Sequence, residues 1–236
     1  MRKNFFHFFF ICCVLVLSTR DAFSMQGKST ETFSYIEKIG AFFPPSLLRA
    51  DFLLKKYLRS NSFASYRKAY GDSASVDKIF FKAKELSNNN NGVALLISLL
   101  GVTDHFALTV KIHIPYLPVQ LPLPLTAETK EEFTRRFNNL PEHFPRLFSS
   151  PTSSVHKDKL QHFFATAFLS YVFESEETAL RIGFATEKGE SAFIIGGTYD
   201  AEDLEMNRRG AMFGHALLLQ KPFFPSQYFF SNKRIK

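Results

Sequence analysis

Residues 156–173, HKDKLQHFFATAFLSYVF, and 199–214, YDAEDLEMNRRGAMFG, decide how this chain is read. In the first, Asp158 and His162 stand four apart, which on an α-helix puts both on one face, about 40° from each other. Behind them Phe163, Phe164, Ala167, Phe168 and Tyr171 form a wide apolar stripe. In the second, Asp203, Asn207, Gly210 and Gly214 follow at i, i+4, i+7 and i+11, again on one face. The Gly210–Gly214 spacing is a close-packing signal in apolar helices. Between the two, a helix is expected from Glu176 to Ile194. Glu174, Glu176 and Glu177 crowd its start, where the helix dipole favours negative charge. Glu187 and Glu190 lie in its interior at i, i+3.

Three successive helices thus carry hydrophilic residues at helical spacing, and two readings are open. In the first, these residues cap and pack the helices, with Asp200 and Asp203 at a helix start. In the second they build a site. An acid and an imidazole at the mouth of an apolar stripe can orient one another, bind a metal or exchange a proton. Asp158, His162, Glu187, Asp203 and Asn207 are then the catalytic candidates. His162, Asp158, Glu187 and Glu190 are the candidate ligands of a divalent metal. Mixed nitrogen and oxygen donors without sulfur suit zinc, manganese or iron about equally.

Asp158-Lys-x-x-His162-Phe163 resembles the opening motif of the YfiM-like and VanZ-like small bacterial envelope proteins. Asp203-Leu204-x-x-Asn207-x-x-Gly210 resembles the closing motif of the YfiM-like group. The middle motif of that group is approximated by Glu187-Lys188-Gly189-Glu190. The resemblance spans about a quarter of the chain and implies a helical hairpin domain at the cell envelope. It implies no activity.

An envelope address also follows from the N-terminus. MRKNFFHFFFICCVLVLS has a basic start and an apolar run of about 13 residues, too short for a comfortable membrane span and suited to a secretory signal. Ala22-Phe23-Ser24 offers small residues before a cut at Met25; the alternative is an uncut anchor. Both cysteines, Cys12 and Cys13, fall inside this leader. The mature chain would hold no thiol, which removes disulfide-linked partners, thiolate catalysis and sulfur-ligated metal. Phe9, Phe10 and Ile11 before Cys12 are not the small residues of a lipidation site.

Removing residues 1–24 takes away Arg2, Lys3, Arg20 and Asp21 and lowers the formal charge from +7 to +5. A basic exported protein favours anionic lipid or polysaccharide surfaces. No basic block suggests nucleic-acid binding, and the chain has no P-loop, dinucleotide fingerprint, GxSxG or HExxH.

Elsewhere, Pro44-Pro45-Ser46 opens an amphipathic helix over 47–59, and Val76–Leu86 reads as a second helix. Residues 105–114 alternate strictly between apolar and polar, the pattern of a half-buried strand. The continuous apolar run Val93–Leu100 reads as its buried partner, with Gly101–Asp104 as the turn. Pro115, Pro118, Pro122 and Pro124 form an extended arm fit only for a sheet edge or groove. Thr126 is expected to cap a helix over 127–138, with Glu131 and Glu132 paired to Arg135 and Arg136.

The expected fold is α+β: mostly helical, with a small β-hairpin in the first region and a C-terminal three-helix unit. Its divisions are a signal peptide at 1–24, an N-terminal α+β region at 25–148, a linker at 149–155, a helical domain at 156–220 and an aromatic, basic tail at 221–236. The expected function is that of an exported protein, periplasmic or outer-membrane-associated, whose partner is the membrane surface or another envelope component. The alternative is a metal-dependent hydrolase acting on a lipid or cell-wall substrate.

Overall fold

In the computed structural model the described residues are 45–104, 106–114, 117–124, 126–142, 157–193, 201–220 and 224–230. The leader, its cysteines and the 149–155 segment lie outside them. Helix α1 (Pro45–Leu58) starts on proline and buries Leu47, Ala50, Leu54 and Leu58, the three-and-four spacing of one helical stripe. Helix α2 (Asn61–Leu86) is capped by Ser60, whose Oγ accepts the Phe63 N–H at 3.2 Å. It breaks at Gly71, where φ is 80°, a left-handed conformation open to glycine. Arg67 and Asp72 bridge the break at 2.5 Å. Beyond it Val76, Ile79, Phe80 and Ala83 face the core.

Helix α3 (Asn91–Gly101) is the first correction. The run Val93–Leu100 is helical, not the strand expected from its continuous hydrophobicity. Asn90 caps it by accepting the Val93 N–H at 3.0 Å, and Ala94 through Leu99 are all buried. A helix apolar on every side belongs at the centre of a bundle. Gly101 lets it approach α1: a Cβ there would press on Leu54.

The α+β expectation is overturned with it. Among the described residues the packed body is helical, and Val93–Leu100, being a helix, does not pair with the strand at 107–114. Instead β1 (Ala107–Ile114) pairs antiparallel with β2 (Leu117–Pro124), Ile112 opposite Val119, and among the described residues no other strand lies beside either. A lone pair of strands is marginal in water and makes no sheet layer. Pro118, Pro122 and Pro124 share one parity in β2, which puts their missing donors on a single edge.

Helix α4 (Lys130–Asn139) is capped by Thr129 in a reciprocal box with Glu132, not by Thr126. The expected i,i+4 pairs give way to tertiary ones. Glu132 meets Arg59 at 2.9 Å, and Arg135 donates to Asn61 at 2.7 Å. Arg136, fully buried, bonds the buried Glu128 at 2.9 Å and the carbonyls of Gly101 and Thr103 at 2.7 and 3.1 Å. That guanidinium closes the C-terminal end of α3.

Helices α5 (Asp158–Phe173), α6 (Glu176–Phe193) and α7 (Ala201–Leu218) follow, and α8 (Pro225–Phe229) ends the described chain. Lys159 of α5 meets Asp203 of α7, and Gly214 of α7 meets Ala167 of α5. Early thus pairs with early and later with later, so α5 and α7 run parallel. Lys157 joins the start of α5 to α4, donating to the Phe137 carbonyl at 2.6 Å and lying 3.4 Å from Glu142. Burial pushes its ammonium below the ordinary lysine range, with Glu142 opposing. The apolar core is continuous from Leu47 to Phe229 and draws on helices from both sides of 149–155. Among the described residues no helix is long and apolar enough to cross a membrane.

Candidate functional site

The polar residues of α5 and α7 meet where the two helices begin. Lys159, an early residue of α5, is 2 % exposed and points at α7. Its Nζ donates to Asp203 Oδ1 at 2.5 Å and lies 4.0 Å from Glu202. His162, one turn further along α5, places Nε2 3.5 Å from the same Asp203 oxygen. Asp203 and Glu202 stand in the first turn of α7, where exposed N–H groups favour negative charge. A lysine in the first turn of α5 runs against that preference, and Asp203 compensates it.

Asn207 continues the stripe on α7 and is 2 % exposed. It packs beside Gly183 of α6 and near Thr166 of α5: a Cβ on Gly183 would lie 3.1 Å from Asn207 Nδ2 and 3.4 Å from Thr166 Cγ2. Neither amide atom of Asn207 has a hydrogen-bond partner among the described residues. The next turn brings Gly210 against the carbonyl of Phe163, and Gly214 against that of Ala167. The Thr166 hydroxyl donates to the His162 carbonyl at 2.7 Å. The stripe therefore runs from an ionic end, through a buried amide, to backbone-on-backbone contact.

Of the residues singled out in the sequence, His162 and Asp203 come together, and Asn207 lies on their stripe. Asp158 is half-buried and accepts the Lys159 N–H at 3.0 Å, a local bond at the start of its own helix. Glu187 and Glu190 belong to α6, and their side chains lie outside the described residues. Among the described residues no three acidic, histidine or cysteine side chains are grouped to hold a metal. The cation that Asp203 faces is the Lys159 ammonium.

Sequence reasoning missed Lys159, although a signal was present. Lys159, Phe163 and Thr166 fall at i, i+4 and i+7, which puts a lysine on a face that is otherwise apolar or small. It also missed Gln161, whose Nε2 donates to Asp104 Oδ1 at 2.5 Å and ties α5 to the loop after α3.

Comparison of the chain with protein-family models, curated proteins and solved structures finds no match.

Proposed function

We propose that this chain is an exported, non-enzymatic protein of the bacterial envelope, a helical scaffold that works by presenting surfaces. The observation that carries the reading is the Lys159–Asp203 pair. A buried ammonium already neutralises Asp203, the carboxylate that meets His162. A buried pair of this kind is weak as a source of net stability but strong as a constraint on how two helices meet. The glycines further along the stripe serve the same end, because they permit contact only in one register. The basic leader with its short apolar run supports export, and the positive charge that remains suits an anionic surface.

The test is a thermal melt of the protein as recovered from cells. The wild type and a His162→Ala variant are heated in a chelator and then with zinc, manganese or ferrous iron. A scaffold melts at the same temperature in every condition. A metal-dependent rise in the wild type that vanishes in His162→Ala would replace this reading with the hydrolase one, since a ligand that binds only the folded state stabilises it by mass action.

A further inference from the structure

Helix α8 holds an aromatic edge in place. Phe224, its N-cap, is 47 % exposed, and Phe81 of α2 is 40 % exposed. The two rings meet edge to face with centroids 5.4 Å apart, although 143 positions separate them in the chain. The pairing is fixed from behind. Asp77 Oδ1 accepts the Ser226 N–H at 2.8 Å, and its Oδ2 accepts the Ser226 hydroxyl at 2.7 Å. Arg209 donates to the Phe229 carbonyl at 2.8 Å. Phe80, beside Phe81, turns inward and packs on Phe213. Two large apolar rings thus stand out from a rigid backing.

The charges around them are sorted. On α2, Asp77 lies four residues before Phe81 and is taken up by Ser226. Glu85 lies four residues after it and is taken up by Lys82 at 2.5 Å. Lys78 and Lys84 flank Phe81 at three residues on either side.

We infer that the Phe81–Phe224 edge is the face with which this protein sits on an anionic lipid surface. The inference deepens the scaffold reading above and rests on it. A protein partner is disfavoured by size. Stable protein interfaces bury roughly 1,200–2,000 Å², and two half-exposed rings supply a small part of that. A lipid surface needs only apolar tips at the headgroup boundary with cations beside them, each basic residue adding to the attraction. Phenylalanine rings on a fixed backing insert without a further loss of conformational freedom.

The chain contains no tryptophan, so a single one reports its own position. Phe224→Trp and Tyr70→Trp chains are mixed with vesicles of phosphatidylglycerol and phosphatidylcholine carrying brominated acyl chains. Tyr70, 67 % exposed before the Gly71 break, is the control. The expected result is a blue shift and quenching of Phe224→Trp alone, lost with pure phosphatidylcholine and reduced by salt. A Phe81→Ser/Phe224→Ser chain should partition about tenfold more weakly. If the protein sediments with anionic vesicles but Phe224→Trp is quenched no more than Tyr70→Trp, the assignment of this face is wrong. If it does not sediment with them at all, membrane association fails as well.

Discussion

Gly210 of α7 lies against the carbonyl of Phe163 of α5, closer than any side chain would allow. The atom in the way is backbone oxygen, which cannot swing aside as a flexible side chain would. Gly214 stands in the same relation to Ala167 one turn later. Gly210→Ala and Gly214→Ala are therefore expected to push the helices apart and to cost about 1–3 kcal/mol each, the usual range for overpacking. Denaturant unfolding measures this. An alanine accepted without loss at both positions would mean that the helices do not touch there.

The buried guanidinium of Arg136 has a similar standing at the other end of the core. An Arg136→Leu chain leaves the Glu128 carboxylate buried with Arg59, 3.4 Å away, and the Thr126 hydroxyl, and leaves the Gly101 and Thr103 carbonyls without that donor. Removing one partner of a buried pair costs about 3–5 kcal/mol. Arg136→Lys should recover little, since an ammonium cannot reproduce the planar fork. The midpoint of chemical denaturation reads both.

Docking of α8 depends on Asp77. Burial pushes this carboxyl above its ordinary value, with the Ser226 N–H and hydroxyl only partly opposing. A raised carboxyl binds its proton more readily folded than unfolded. Its contribution to stability is therefore present below the unfolded value of 3.8 and lost as pH rises through the folded one. Asp77→Asn keeps one acceptor and should remove that slope. Asp77→Ala removes both acceptors from Ser226, costs about 1 kcal/mol, and should speed amide exchange in α8 before the rest of the protein.

Glu205 shows the opposite sign. Its hydrogen bond with the Arg208 guanidinium, joined by that of Arg209, holds the carboxyl below the ordinary glutamate value of 4.5, against the effect of burial. The unfolded chain then binds protons first as the solution is acidified. The stabilisation is present above 4.5 and lost as pH falls through the lower folded value. A melting series from neutral to strongly acid pH should be flatter for Glu205→Gln than for the wild type.

Much of the helical framework was readable, because a stripe at three-and-four spacing needs one apolar side, and α1, α5 and α7 each show it. The run Val93–Leu100 misled because a helix buried all round and a strand buried on both faces have the same pattern. The cue that separates them is Asn90, which caps the helix. The capping threonine was misplaced because Thr126 and Thr129 both stand near the helix start, and only Thr129 has Glu132 three residues on to complete the box. Charges were the least readable. Glu132 and Arg136 have helical neighbours of opposite sign, yet each turns to a partner distant or upstream in the chain. The stripe of His162, Asp203 and Asn207 was visible from spacing, whereas Lys159 was hidden in plain view as one more basic residue. Its role depends on a second helix 44 positions later.

If the polar residues of α5 and α7 serve to hold those helices together, a double-mutant cycle at Lys159 and Asp203 shows it most directly. Lys159→Met and Asp203→Leu are each expected to cost about 3–5 kcal/mol by taking the nearest partner from a buried charge, leaving Asp203 with His162 at 3.5 Å and Lys159 with Glu202 at 4.0 Å. The double variant should cost less than their sum, with a coupling of about 1–3 kcal/mol. Unfolding free energies that simply add, with no coupling between the two positions, would contradict it.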